Sequence, residues 1–308
     1  MKKHLSSLLF LIAAMLWGFA FSAQKAAEAL SPFVIGTVRN FIGALFLLLV
    51  IPALDKFTKN GRRLLRENRR PDFTVSELIG GAVCGVILAI ASVFQQLGIS
   101  EGTDAGKAAF ITALYVVMVP IISQLLKKTA PINVYISVAI AVVGFYFLCI
   151  KDDLTLELSD TLVLICALIF ALHIIVIDIF SPRCDGVRMS CVQFAVAFVL
   201  NGVLMLVFDT PLDLRAIGSA LPALLYLGIC SSGIAYTLQI VGQRDANPAV
   251  ASIILSLESV FGVIGGAIVF GEVLSLGEYV GCAVVFLAVI LSQLDLKVGK
   301  KPKKDAKD

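Results

Sequence analysis

Four ionisable side chains stand inside otherwise apolar stretches of this sequence: Arg39, His173, Asp178 and Glu258. A charge at membrane depth is costly and is kept where it has a partner or a function. Glu258, near the middle of its stretch, suits a proton carrier or a docking point for a substrate amine; a structural carboxylate bonded to nearby hydroxyls is the alternative. Arg39 suits a clamp for a substrate carboxylate or an ion-pair member near the outer interface. His173 reads as a packing residue and Asp178 as interfacial. Uncharged polar residues form a second set. Ser232, Tyr236, Gln239 and Gln243 recur at i, i+4, i+7 and i+11, one face of an α-helix. Ser252, Ser256 and Ser259 recur at i, i+4 and i+7. Trp17, Phe21 and Gln24 share one face of the first stretch. Ser92 with Gln95-Gln96, and Thr112 with Tyr115, add hydroxyls and amides. Trp17, Gln95, Tyr115, Ser232, Tyr236 and Gln239 are the candidate lining of a substrate cavity, with Glu258 and Arg39 as its charged members. Bonding between helices is the competing role for such residues.

Other chemistries lack their residues. The seven cysteines (Cys84, Cys149, Cys166, Cys184, Cys191, Cys230 and Cys282) are scattered, with no C-x-x-C pair. His4 and His173 lie far apart, so no zinc pattern arises and no metal or cofactor is expected. No Walker A motif is present, so no nucleotide-hydrolysing machinery is visible. His173 and Asp178 stand roughly 140° apart around a helix and do not converge as a catalytic pair would.

The elements that must hold these residues follow from composition. The chain has 308 residues, 59% hydrophobic and 15% charged, with mean hydropathy +0.96. A soluble domain carries about 25% charged residues. The excess apolar surface therefore faces lipid. Ten apolar stretches of near-spanning length run over 5–24, 32–54, 76–98, 104–126, 131–150, 158–180, 189–208, 216–240, 247–270 and 275–294. Ser31-Pro32, Lys127-Lys128, Asp152-Asp153, Ser181-Pro182, Thr210-Pro211, Asn247-Pro248 and Gly271-Glu272 punctuate them. The first stretch is long for a signal peptide and reads as a span. Most of the 25 lysines and arginines fall on one side: Lys2-Lys3, the basic loop from Lys56 to Arg70, Lys127-Lys128, Arg183, Arg188, Arg244 and the tail after 296. Lys25, Lys107, Lys151 and Arg215 fall on the other. The positive-inside rule then places both termini in the cytoplasm. The basic tail reads as a topology anchor rather than a nucleic-acid site.

The chain also repeats itself. At an offset of 153, the first two stretches overlie the sixth and seventh, with Leu9/Leu162, Ala14/Ala167, Val34/Val187 and Phe41/Phe194 identical and Trp17 opposite Phe170. At an offset of 144, the next three overlie the last three: Gln95 meets Gln239, Gly98 meets Gly242, Thr112 meets Ser256 and Tyr135 meets Tyr279. An odd number of spans per copy makes the second copy enter the membrane in the opposite sense. Inverted repeats of this kind mark secondary transporters. The expected organisation is a first five-helix repeat over 1–150, a second over 151–295 and a basic cytoplasmic tail over 296–308.

These motifs together resemble the EamA-type family of the drug/metabolite transporter superfamily, over nearly the whole chain. The resemblance rests on Trp17-Gly18, Arg39, the run from Gln95 through Thr103 and Ala109-Phe110-Ile111-Thr112 to Pro120, and Gln239, Asn247-Pro248-Ala249, Ser256-Leu257-Glu258, Gly271-Glu272 and Gly281. Two departures stand out. Ser259 follows Glu258 where the family often has proline, and Lys127-Lys128 occupies the place that Gly271-Glu272 takes in the second copy. The resemblance implies an all-α membrane protein of ten transmembrane helices in two inverted repeats around a central cavity. It implies movement of small metabolites across the cell membrane, often export of amino acids or related compounds.

The expectation is thus a secondary transporter working by alternating access, not an enzyme. Its partners would be a small-molecule substrate, membrane lipid and a coupling ion, with no nucleic acid. The rivals are an intramembrane lipid-modifying enzyme, which needs clustered catalytic groups, and a non-transporting membrane receptor, which needs larger loops.

Overall fold

The structure is a computed structural model and describes residues 2–59, 72–149, 157–209, 212–271, 273 and 275–294. Most of the basic loop, Asp152-Asp153, Thr210-Pro211, Glu272 and the tail from 296 lie outside the described residues, as does the expectation built on them.

The described residues form helices and connecting turns: α1 (Lys2–Ala26), α2 (Pro32–Lys59), α3 (Val75–Ser100), α4 (Ala105–Ala113), α5 (Tyr115–Leu125), α6 (Ile132–Cys149), α7 (Leu158–Phe180), α8 (Gly186–Phe208), α9 (Leu214–Ser219), α10 (Leu221–Leu225), α11 (Thr237–Gln243), α12 (Pro248–Leu255), α13 (Glu258–Phe270) and α14 (Leu276–Gln293). A π-helix, Tyr226–Tyr236, joins α10 to α11. Local chemistry sets the ends. Thr74 with Glu77 and Ser275 with Glu278 make reciprocal capping boxes. The Asp185 carboxylate accepts from the Val187 and Arg188 amides, and Asn247 accepts from Ala249 with Pro248 in the first helical position.

Among the described residues, nine helical units are long and apolar enough to cross a membrane, and Ile132–Phe147 is a shorter apolar helix. Each sequence stretch has its counterpart here. The eighth is shifted: α9 is a separate short helix, and the long unit runs Leu221–Gln243. The outer surface is apolar, with Leu49, Leu206, Val207 and Leu287 each at least 60% exposed, as lipid contact requires.

Packing brings repeat counterparts together: α2 lies along α8, and α6 along α14. Helix α3 packs on α7 and α8, and α1 packs on α13 and the π-helix. Small residues allow the closest approaches. A Cβ on Gly81 or Gly85 would stand 2.8 or 2.6 Å from the Met189 or Gln193 carbonyl oxygen of α8.

Candidate functional site

Two apolar units are interrupted near their middles. Helix α4 ends at Ala113 and α5 begins at Tyr115; α12 ends at Leu255 and α13 begins at Glu258. At both breaks the backbone tightens into i→i−3 bonds, Leu114 N to Ile111 O and Leu257 N to Ile254 O, each 3.2 Å. The breaks put the N-termini of α5 and α13 at one cavity, so Tyr115 and Glu258 each open a helix on its wall. The dipole of α13 favours a carboxylate at that position.

The cavity and its open mouth together span about 450 Å³. Trp17 forms one side. Its indole donates to the Ser231 carbonyl at 3.3 Å, and its ring lies 4.6 Å from that of Tyr236. Tyr236 also meets the edges of His173 at 5.8 Å and Phe194 at 5.7 Å. Gln24 donates to Gln95 Oε1 and Gln95 donates to the Thr112 hydroxyl, both at 3.1 Å. Arg39 lines the cavity from α2 and donates to the hydroxyls of Ser232 at 3.3 Å and Ser231 at 3.0 Å. Gln239 and Glu258 complete the polar wall.

Four polar atoms in this wall are buried without hydrogen-bond partners among the described residues: Tyr115 Oη, His173 Nδ1, Gln239 Oε1 and Glu258 Oε1. The Tyr115 hydroxyl faces the Glu258 carboxyl closely enough for the two to interact, yet makes no hydrogen bond of ordinary geometry. Arg39 is 7% exposed and Glu258 4% exposed. Neither makes an ion pair among the described residues. Tyr236 stands within electrostatic reach of both. All four atoms can take a hydrogen bond from a polar ligand that enters the cavity.

The sequence-derived candidates divide here. Trp17, Arg39, Gln95, Tyr115, Tyr236, Gln239 and Glu258 share the cavity. Ser232 does not line it; Ser231 does. The π-helix is the cause: its bonds run i→i+5, so Ser231 rather than Ser232 stands over Tyr236. Gln243, the fourth member of the expected stripe, donates to the Ile174 carbonyl at 2.9 Å. Ser252, Ser256 and Ser259 bond carbonyls three residues back on their own strand of helix and present no hydroxyl to the cavity. His173, read as packing, lines the cavity, with Nε2 bonded to Gln193 Oε1 at 3.0 Å. The signal that could have found it is its position three residues after Phe170, the counterpart of Trp17. Asp178 pairs with Lys128 at the end of α7, away from the cavity.

These features define a multi-pass helical membrane protein with a buried, partly charged cavity between broken helices. The EamA-like transporter family model matches the chain twice, over residues 4–150 and 158–294. The chain belongs to that family. It is 30% identical over 295 residues to an uncharacterised transporter of Archaeoglobus fulgidus, covering 95% of this chain and 87% of the relative. A solved structure described only as "Crystal structure of protein" has the same fold, with TM-score 0.71 at 15% identity over 94% of this chain and 96% of the other.

Proposed function

We propose that the protein is a secondary transporter that exports a small zwitterionic metabolite, an amino acid or a related compound, across the cell membrane. One observation carries the substrate class. A buried cation, Arg39, and a buried carboxylate, Glu258, line one cavity, and neither has an ion-pair partner among the described residues. A ligand with a carboxylate and an ammonium group satisfies both, and buried charges are kept where they are paired. Trp17, Tyr236 and Phe170 supply ring surface for the rest of the ligand.

The cycle is alternating access between two inverted five-helix halves, with the nine long units and α6 making ten crossings and both termini in the cytoplasm. The double family match, the packing of counterpart pairs and the paired helix breaks support this reading. Broken helices whose N-termini meet a midplane site are the usual construction of such transporters. Glu258 carries the coupling proton when the substrate amine is absent. The test is displacement by a ligand panel on the purified full chain in nanodiscs. Neutral amino acids should shift thermal unfolding upward. Their decarboxylated and deaminated analogues, at equal concentration, should not. Equal shifts by an amine or an acid alone overturn the zwitterion reading.

A further inference from the structure

We propose that Thr112 and Ser256 are paired positioning residues: each holds the cavity glutamine seventeen positions before it in one of two facing states, so that Gln95–Thr112 is bonded in one state and Gln239–Ser256 in the other. The proposal rests on the transporter reading above and names the side chains that set the balance between its states.

Gln95 and Gln239 are repeat counterparts, and so are Thr112 and Ser256; both glutamines line the cavity. The structure treats the two pairs differently. Gln95 Nε2 donates to Thr112 Oγ1 at 3.1 Å. The Gln239–Ser256 bond is not made. Gln239 is 2% exposed and its Oε1 has no partner among the described residues, while the Ser256 hydroxyl donates to the Ile253 carbonyl at 2.8 Å. A buried amide oxygen left unbonded favours any arrangement that supplies a donor. Helix α11 does not pack along α12 or α13 here, whereas α3 packs on α4, so in the second state the elements carrying Gln239 and Ser256 close on each other and the Ser256 hydroxyl turns from Ile253 to the glutamine. Thr112 stands in the last turn before one helix break and Ser256 in the other break itself, where the chain has fewer regular bonds to lose on moving. The pairs are unequal in support. Gln24 adds a second bond to Gln95, whereas the residue at the matching position in the second copy is apolar Ile177. That difference explains why the first pair is the one formed here.

Hydrogen exchange read by mass spectrometry on the ligand-free full chain in nanodiscs tests this. Protection is followed in α4, which contains Thr112 near its end, and in α12, which ends just before Ser256. Thr112→Val removes one bond while keeping side-chain shape, and should move the ratio of the two states about fivefold away from the present one, the size of one ordinary hydrogen bond. Ser256→Ala should move it in the opposite sense, and Thr112→Ser should restore the parent pattern. Opposite changes at the two helices support the switch. A purely structural role predicts that both variants loosen their own surroundings alike; that outcome, or no change in either, overturns it. Amino-acid flux by the parent protein is measured separately in proteoliposomes. Flux without opposite shifts sinks the switch alone, and opposite shifts without flux sink the transport reading alone.

Discussion

Glu258 is the residue on which the chemistry turns. Its carboxyl is buried at a helix N-terminus, faces Tyr115 and leaves Oε1 unbonded. Glu258→Gln keeps the shape and deletes the charge. Proton-dependent uptake into proteoliposomes should be abolished, with the purified variant still monodisperse. Flux that keeps its pH dependence in this variant removes the coupling role. A second residue tests the repeat. Lys127 adopts φ +60°, and its N–H and that of Lys128 bond back to Gln124 and Ser123, closing a Schellman turn. Its counterpart at an offset of 144 is Gly271, at φ +70°. Lys127→Gly should therefore stabilise by about 1 kcal/mol, read as a higher unfolding temperature, because lysine strains in the left-handed region and glycine does not. Most cavity residues were legible because a charge or aromatic-polar pattern inside an apolar stretch has few uses. His173 was not, since a lone histidine on an apolar face carries no sign of whether its second nitrogen meets a partner.

At the level of elements, periodicity located the helices and failed where a helix departed from α geometry. The stripe from Ser232 to Gln243 was drawn on an α-helix, and the π-helix over Tyr226–Tyr236 rotated Ser232 off the cavity and brought Ser231 onto it. Nothing in Ser-Ser-Gly distinguishes the two registers. The breaks at Leu114 and at Ser256-Leu257 contain neither proline nor glycine, so both stretches read as unbroken spans in the sequence. Trp17-Gly18 shows the opposite case, a dipeptide whose parts have separate physical reasons. The indole reaches the cavity, and the glycine lets α1 touch α13. A Cβ on Gly18 would stand 2.3 Å from Phe261 Cβ and 2.8 Å from the Gly262 nitrogen. Gly18→Ala should cost about 1–3 kcal/mol through overpacking and weaken substrate binding by displacing Trp17. Unchanged thermal unfolding and half-saturation in that variant would falsify the close-approach account.

Over the whole molecule, the apolar stretches, their order and the two-copy layout were legible because lipid forces every backbone group into internal bonds, which makes spanning length a strong signal. The pairing of α2 with α8 and of α6 with α14 was not, because one apolar face resembles another in sequence. What remains to be tested is the threading itself. If each copy crosses five times, the copies run in opposite senses, and the connections must alternate sides without exception. Cysteines placed by Lys3→Cys and Lys303→Cys, in a background without native cysteines, should react with a membrane-impermeant thiol reagent only when the cytoplasmic face is open to it. Glu101→Cys, just after α3, and Ser219→Cys, at the end of α9, occupy exposed positions and should react in intact cells. The prediction is sharp because one missing crossing inverts every later position. A helix α6 too short to span would leave Lys3→Cys on its side and move Lys303→Cys to the other. Reaction of both termini from one face, with both connections from the opposite face, is the only pattern that lets two antiparallel halves present the same cavity to each side in turn.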